Sequence, residues 1–190
     1  MSTAAGITRA EAWTLLQEHV KNPNLLKHCL ASEAVMRAAA RRLGADEEVW
    51  SLAGLLHDLD VELTNGDLKV HGLKTVEMLT ARGVAPEIVE AIKMHNEGAH
   101  GLKRSTVFHK ALAACETITG LVTATTLVYP DKKLASVKPS SVVKRMKEKL
   151  FAASVDRETI RECEQIGIPL PEFAELAVGA MRAVAGELGL

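Results

Sequence analysis

The chain has 190 residues, 47% of them hydrophobic and 25% charged, with a formal net charge of -1. A chain of this length buries a core without staples, and its composition is that of one ordinary soluble globular domain. Near-neutrality excludes the long-range field that a nucleic-acid or acidic-membrane partner would need, and aromatics at 3% leave few rings to stack on bases.

Start and stop signals divide the chain into roughly nine helical segments. Thr8 and Glu11 form a capping box ahead of Ala12, Trp13, Leu15, Leu16 and Val20. Asn22-Pro23-Asn24 interrupts the chain, and Asn24 is placed to cap an amphipathic helix over 25–43, which Gly44 ends. Asp46 caps the next helix, from 47 to about 58, with Val49, Leu52, Ala53 and Leu56 inward. Thr64-Asn65-Gly66-Asp67 is turn-forming. A helix from 71 or 72 to 82 stops at Gly83, and Pro86 opens another that reaches about residue 95. Residues 96–101 read as loop. A long helix then runs from about 106 towards 128 and stops before Pro130. Its β-branched end, residues 123–128, is the best strand candidate, but no partner strand is apparent. Ser140 and Ser141 start a helix over 142–150, Asp156 caps 157–165, and Pro171 precedes a final helix to 188. With no repeat, low-complexity stretch or Gly/Ser linker, the expectation is an all-α, single-domain helical bundle over 1–190.

Cys29, Cys115 and Cys163 are odd in number, far apart and form no CxxC pair. Free thiols in a reducing cytoplasm are expected rather than a disulfide framework. The opening MSTAAGITRAEAW has no basic start followed by an apolar run, so no leader is expected. The longest apolar stretch, 111–128, is broken by Glu116, several threonines and Gly120 and is too polar to span a bilayer. The expected setting is cytoplasmic, with neither membrane nor nucleic acid as a partner.

The chemistry lies in where the histidines and acids fall. His28 sits early in one helix, and His57-Asp58 close the next, directly behind Leu52-Ala53-Gly54-Leu55-Leu56. His71 begins another helix, His95 ends the one after it, and Glu116 follows the apolar Ala111-Leu112-Ala113-Ala114-Cys115. Adjacent helical residues point about 100° apart, so His57 and Asp58 can share a ligand only where the helix ends and the backbone splays. An unpaired Asp behind apolar residues is costly, and a cation removes that cost. Glu116 is in the same position, since a buried carboxylate without a partner takes up a proton. Imidazole and carboxylate together suit transition metals such as Mn, Fe, Co, Ni or Zn. The bland readings are a satisfied core histidine for His28 or His57 taken singly, helix-end caps for His71 and His95, and a polar helix seam for Glu116.

The ordered set of His28, then His57-Asp58 within GLLHDLD, then an acid in a later helix resembles the HD-domain metal-dependent phosphohydrolase superfamily. The chain is most similar to its small stand-alone members of the HDIG type, and the likeness extends through HGLKTVEML, AIKMHNE and the tail FAASVDRETIRECEQIGI. The resemblance implies an HD-type bundle with a metal-binding core over about 20–130 and C-terminal helices over 140–188 packed on it. It implies that His28, His57 and Asp58 hold a divalent metal, with Glu116 where the family usually has Asp. It places His71 and His95 at a second ion, giving one or two ions of Mn, Fe, Co, Ni, Zn or Mg. The implied activity is hydrolysis of a small phosphorylated molecule, a nucleotide or cyclic nucleotide, by metal-activated water, with Asp58 orienting metal and nucleophile. The same six residues also suit a di-iron oxygenase, and Glu in place of Asp suits a non-catalytic metal- or nucleotide-binding regulatory module.

Around this set, Asp60 and Glu62 are candidates to orient imidazoles or to act as a general acid, a solvated acidic loop being the alternative. Lys103 and Arg104, in a Gly-containing segment, are candidates to bind substrate phosphate, with surface charge as the alternative. His19, His100 and His109 are taken as surface residues, His100 the nearest to the site mouth. Lys144, Arg145, Lys147 and Lys149 share a short helix with Glu148 and read as surface charge.

Overall fold

The computed structural model describes residues 4–190; residues 1–3, where the segment expected to carry no leader begins, lie outside the described residues. It is all-α, with ten α-helices and two short 3-10 turns among the described residues. These are α1 (Arg9–His19), α2 (Pro23–Leu43), α3 (Glu47–Leu56), α4 (Leu73–Ala81), α5 (Pro86–His95), α6 (Val107–Leu127), α7 (Pro139–Arg145), α8 (Arg157–Gln165), α9 (Leu170–Ala183) and α10 (Ala185–Leu188). Among the described residues, no helix is long and apolar enough to cross a membrane.

Local chemistry accounts for most boundaries. The Thr8–Glu11 capping box is present at α1. Asn22, not Asn24, caps α2, because Pro23 takes the first helical position, where no N–H is needed, and the Asn22 side chain accepts the Asn24 N–H. Gly44 ends α2 in the left-handed conformation. The segment 123–128 is helical up to Leu127, with the Thr125 and Thr126 hydroxyls bonded back to the Leu121 and Val122 carbonyls. Two expectations shift. The helix expected over 142–150 lies at Pro139–Arg145, since Pro139 is preset for a first turn. The final helix divides at Val184, which leaves the helical region with φ -116° and ψ 17°.

The two long helices, α2 and α6, pack on each other, and α3, α5, α8 and α9 pack around them. Leu16, Met36, Leu52, Leu55, Leu56, Leu112, Ile118 and Phe173 are among the fully buried side chains, each contributing roughly 1.5–3 kcal/mol by leaving water. The three cysteines are buried and free. Gly54 sets the first part of the geometry that matters for the site. A Cβ on Gly54 would lie 2.6 Å from the Ser32 carbonyl oxygen and 3.0 Å from the Glu33 nitrogen. Only a glycine lets the backbones of α2 and α3 cross this closely, and that crossing brings His28 on α2 to His57 at the end of α3.

Candidate metal centre

Four imidazoles and one carboxylate converge where α2, α3, α5 and the start of α4 meet. His28 Nε2 lies 3.1 Å from His57 Nε2. His71 Nε2 lies 3.0 Å from His95 Nε2. Asp58 stands between the two pairs. Its Oδ2 is 3.7 Å from His28 Nε2, and its Oδ1 is 3.4 Å from His57 Nε2, 3.1 Å from His71 Nε2 and 3.9 Å from His95 Nε2. His28, His57 and Asp58 form one donor group of a size to hold an ion, and Asp58, His71 and His95 form a second. Asp58 belongs to both.

Counting protons shows what these donors suit. The Nδ1 of His57 faces the Gly54 carbonyl at 2.8 Å, and that of His95 faces the Ile92 carbonyl at 2.5 Å. His71 Nδ1 faces Asp60 Oδ1 at 2.7 Å. His28 Nδ1 lies 2.9 Å from the Thr119 hydroxyl, which spends its own hydrogen on the Glu116 carbonyl at 2.6 Å and therefore accepts. Each Nδ1 is thus a donor, and a neutral imidazole has only one N–H. With all four rings neutral, as metal ligands are, the four Nε2 atoms carry lone pairs, two facing two across about 3 Å. Such contacts repel unless a cation lies between them, so the donor set fits a divalent metal and the Nδ1 partners fix the ligand tautomer.

The electrostatics agree. Burial pushes His28 down and holds His57 down at about 4, although Asp58 opposes both. Burial and the neighbouring His57 and His71 hold His95 down at about 3. These three imidazoles are neutral at physiological pH, as ligands must be. Burial would raise Asp58, but His57, His71 and His28 keep it well below the usual carboxylate range. His71 is also buried, yet between Asp58 and Asp60 it is raised to about 10. In the metal-free protein it holds a second proton, which an incoming ion would displace. Glu116 is raised to about 8 by burial and by Asp58, against the Thr117 hydroxyl bonded to it.

Sequence-expected residues fall into place unevenly. Glu116 is near, with Oε2 3.8 Å from His28 Nε2, but it belongs to neither compact donor group. Asp60 is fully buried. Its oxygens accept from His71 Nδ1 and from the backbone N–H groups of Gly72 at 2.8 Å and Thr75 at 3.1 Å. With every oxygen engaged away from solvent, Asp60 orients His71 and caps α4 rather than serving as a general acid. Glu62 accepts the N–H groups of Lys21 and Asn22 and takes no part in the site. Lys103 pairs with Glu97 at the surface. Arg104 is committed to Glu162 at 2.7 Å and to the Met94 and His95 carbonyls, so its fork braces the end of α5 instead of waiting for phosphate. His100 bonds the Lys93 carbonyl, and His109, expected at the surface, is buried at 4% exposure because its face of α6 turns inward. Lys144 and Arg145 belong to α7, while 147 and 149 lie in the turns after it.

Two features escaped the sequence reading. Thr119 lies one helical turn after Glu116, a spacing that places both on one face of α6 and was available as a signal. Gly72, with φ +91°, lets His71 and His95 approach, since a Cβ there would lie 3.2 Å from His95 Cε1. The comparisons complete the picture. Neither a curated protein nor a solved structure matches the chain. The family model described as HD domain matches residues 25–125, more than half of the chain and the segment that supplies every residue of the centre. The protein therefore belongs to the HD-domain family, the metal-dependent phosphohydrolase superfamily.

Proposed function

We propose that the protein hydrolyses a phosphoester of a small molecule at a two-ion centre. In this reading His28 and His57 hold one ion, His71 and His95 hold the other, Asp58 is shared, and Glu116 would add charge beside His28 once a bound ion displaces its proton. The observation that carries it is the symmetry of the donors: two facing Nε2 pairs on either side of one carboxylate. One site would need only one pair. When bound, two such ions bring the pKa of a water towards roughly 7 and offset charge on both the attacking and leaving oxygens of a phosphoester.

The chain's own residues supply position. The carbonyls of Gly54 and Ile92, the Thr119 hydroxyl and Asp60 hold the four rings by their Nδ1 hydrogens, so little reorganisation is needed. A cavity of about 410 Å³, lined by His28, His95, Asn96, Glu116 and Thr117, opens onto the donors and is roomy enough for a phosphoryl group with part of its ester. Nucleotides and cyclic nucleotides are the first substrates to assay.

The test is turnover by protein stripped of metal and reloaded separately with Mn, Fe, Co, Ni, Zn and Mg. Under anaerobic conditions at least one loading should release phosphate from a monoester or open a cyclic nucleotide, and Asp58→Asn should not. Silence across every loading, or a reaction that requires dioxygen, would contradict the proposal.

A further inference from the structure

The cavity at the donors continues past His28. A second cavity of about 560 Å³ shares His28, Gly120, Ser154 and Val155 with it, so the two adjoin as arms of one cleft along α6. Gly120 lies where the two arms meet. A Cβ there would lie 3.2 Å from Val155 Cγ2, so a side chain would close the gap between α6 and the 148–155 segment. That segment is pinned by Arg157, whose guanidinium donates to the carbonyls of Glu148, Phe151, Ala152 and Val155. The far wall of the cleft is thus a braced surface.

In the second cavity the aliphatic Ala31, Ala124 and Leu127 stand with the polar Asn24, Thr119 and Thr123, and no Phe, Tyr or Trp is among the lining residues. Lys27 is the sole lysine or arginine lining either cavity among the described residues. No carboxylate lies within ion-pair distance of its Nζ among the described residues, whereas Lys103 and Arg104 are both paired. Lys27 adjoins His28 in the sequence, and both residues line the second cavity.

Building on the proposed hydrolase reading, we infer that this arm takes the remainder of the substrate and that Lys27 binds a second anionic group on it. The substrate class is a phosphoester with a non-aromatic linker and a further phosphate or carboxylate. An unpaired ammonium beside aliphatic walls recognises such a group as a point charge, and an ion-paired hydrogen bond of this kind is worth about tenfold or more in affinity.

Calorimetry on the metal-loaded protein tests this with alkanediol bisphosphates of increasing chain length against the matching alkyl monophosphates. At one length or more the bisphosphate should bind about tenfold tighter than its monophosphate. Lys27→Met should abolish that preference and Lys27→Arg should keep it, with metal content unchanged in both. No preference at any length, or a preference that survives in Lys27→Met, would overturn the inference. Phosphate release measured in the same samples separates the two readings. A Lys27-dependent preference, with no release from these probes or from any nucleotide under any loading, would contradict the hydrolase proposal and leave the anion site standing.

Discussion

Replacing Asp60 by asparagine asks whether its buried carboxylate sets the ligand state of His71. One Asp60 oxygen must become an NH2 group, and all the contacts around it are donors: His71 Nδ1 at 2.7 Å, Gly72 N at 2.8 Å and Thr75 N at 3.1 Å. If the amide oxygen stays with the two backbone groups, the NH2 faces the His71 N–H. The ring escapes by moving its proton to Nε2, which removes the lone pair aimed at the ion. If the amide turns the other way, Gly72 N–H keeps an acceptor at 3.0 Å but Thr75 N–H loses its own, at about 1–3 kcal/mol for the stranded buried donor. Either arrangement strands one N–H, but the imidazole can move its proton to the other nitrogen and the Thr75 amide cannot, so the first should prevail. Loss of an orienting partner costs roughly 10–100-fold in metal affinity, or about 1.4–2.7 kcal/mol. The loss should fall on the ion held by His71 and His95 and spare the ion at His28 and His57. Competition with a fluorescent chelator, read as two binding steps, measures both. Two unchanged steps, or two steps weakened equally, would refute the reasoning.

The complementary variant is Thr119→Val, which removes the acceptor for His28 Nδ1; the same titration should show the His28–His57 step weakened by roughly tenfold or more and the other intact. Gly54→Ala forces α2 and α3 apart, because the new methyl would sit 2.6 Å from the Ser32 carbonyl oxygen; thermal melts should show a loss of about 1–3 kcal/mol, and an unchanged melting temperature would count against the close crossing. The metal-free protein should be most stable near neutrality. His57 and His95, held at about 4 and about 3, bind protons more readily when unfolded, so stability rises with pH up to the ordinary histidine value. His71, raised to about 10, binds its proton more tightly when folded, so its contribution is lost as pH rises from there towards 10. Urea melts between pH 5 and 9 check both limbs, and a monotonic profile would contradict them.

Much of this was legible in the residues themselves. Helix starts and stops at Thr8, Asp46, Gly44 and Pro86 follow from capping and backbone chemistry, which acts locally. His28, His57, Asp58, His71 and His95 stood out because polar ligands at helix ends beside apolar runs need a reason to be there. What stayed hidden depends on distant packing. Asp60 looks like part of an acidic loop until α4 lies over it, and Arg104 looks free until Glu162, far along the chain, closes on it. Lys27 was overlooked for the opposite reason: its significance is the absence of a partner in a cleft formed by α2, α6 and the 148–155 segment.

The central claim is two ions around one shared carboxylate. Inductively coupled plasma mass spectrometry on protein stripped, reloaded with a single divalent metal and desalted tests it most directly. The account expects two ions per chain in the wild type, falling to one in His71→Ala/His95→Ala and to none in Asp58→Ala. A wild-type count of zero or one at saturating metal would contradict it.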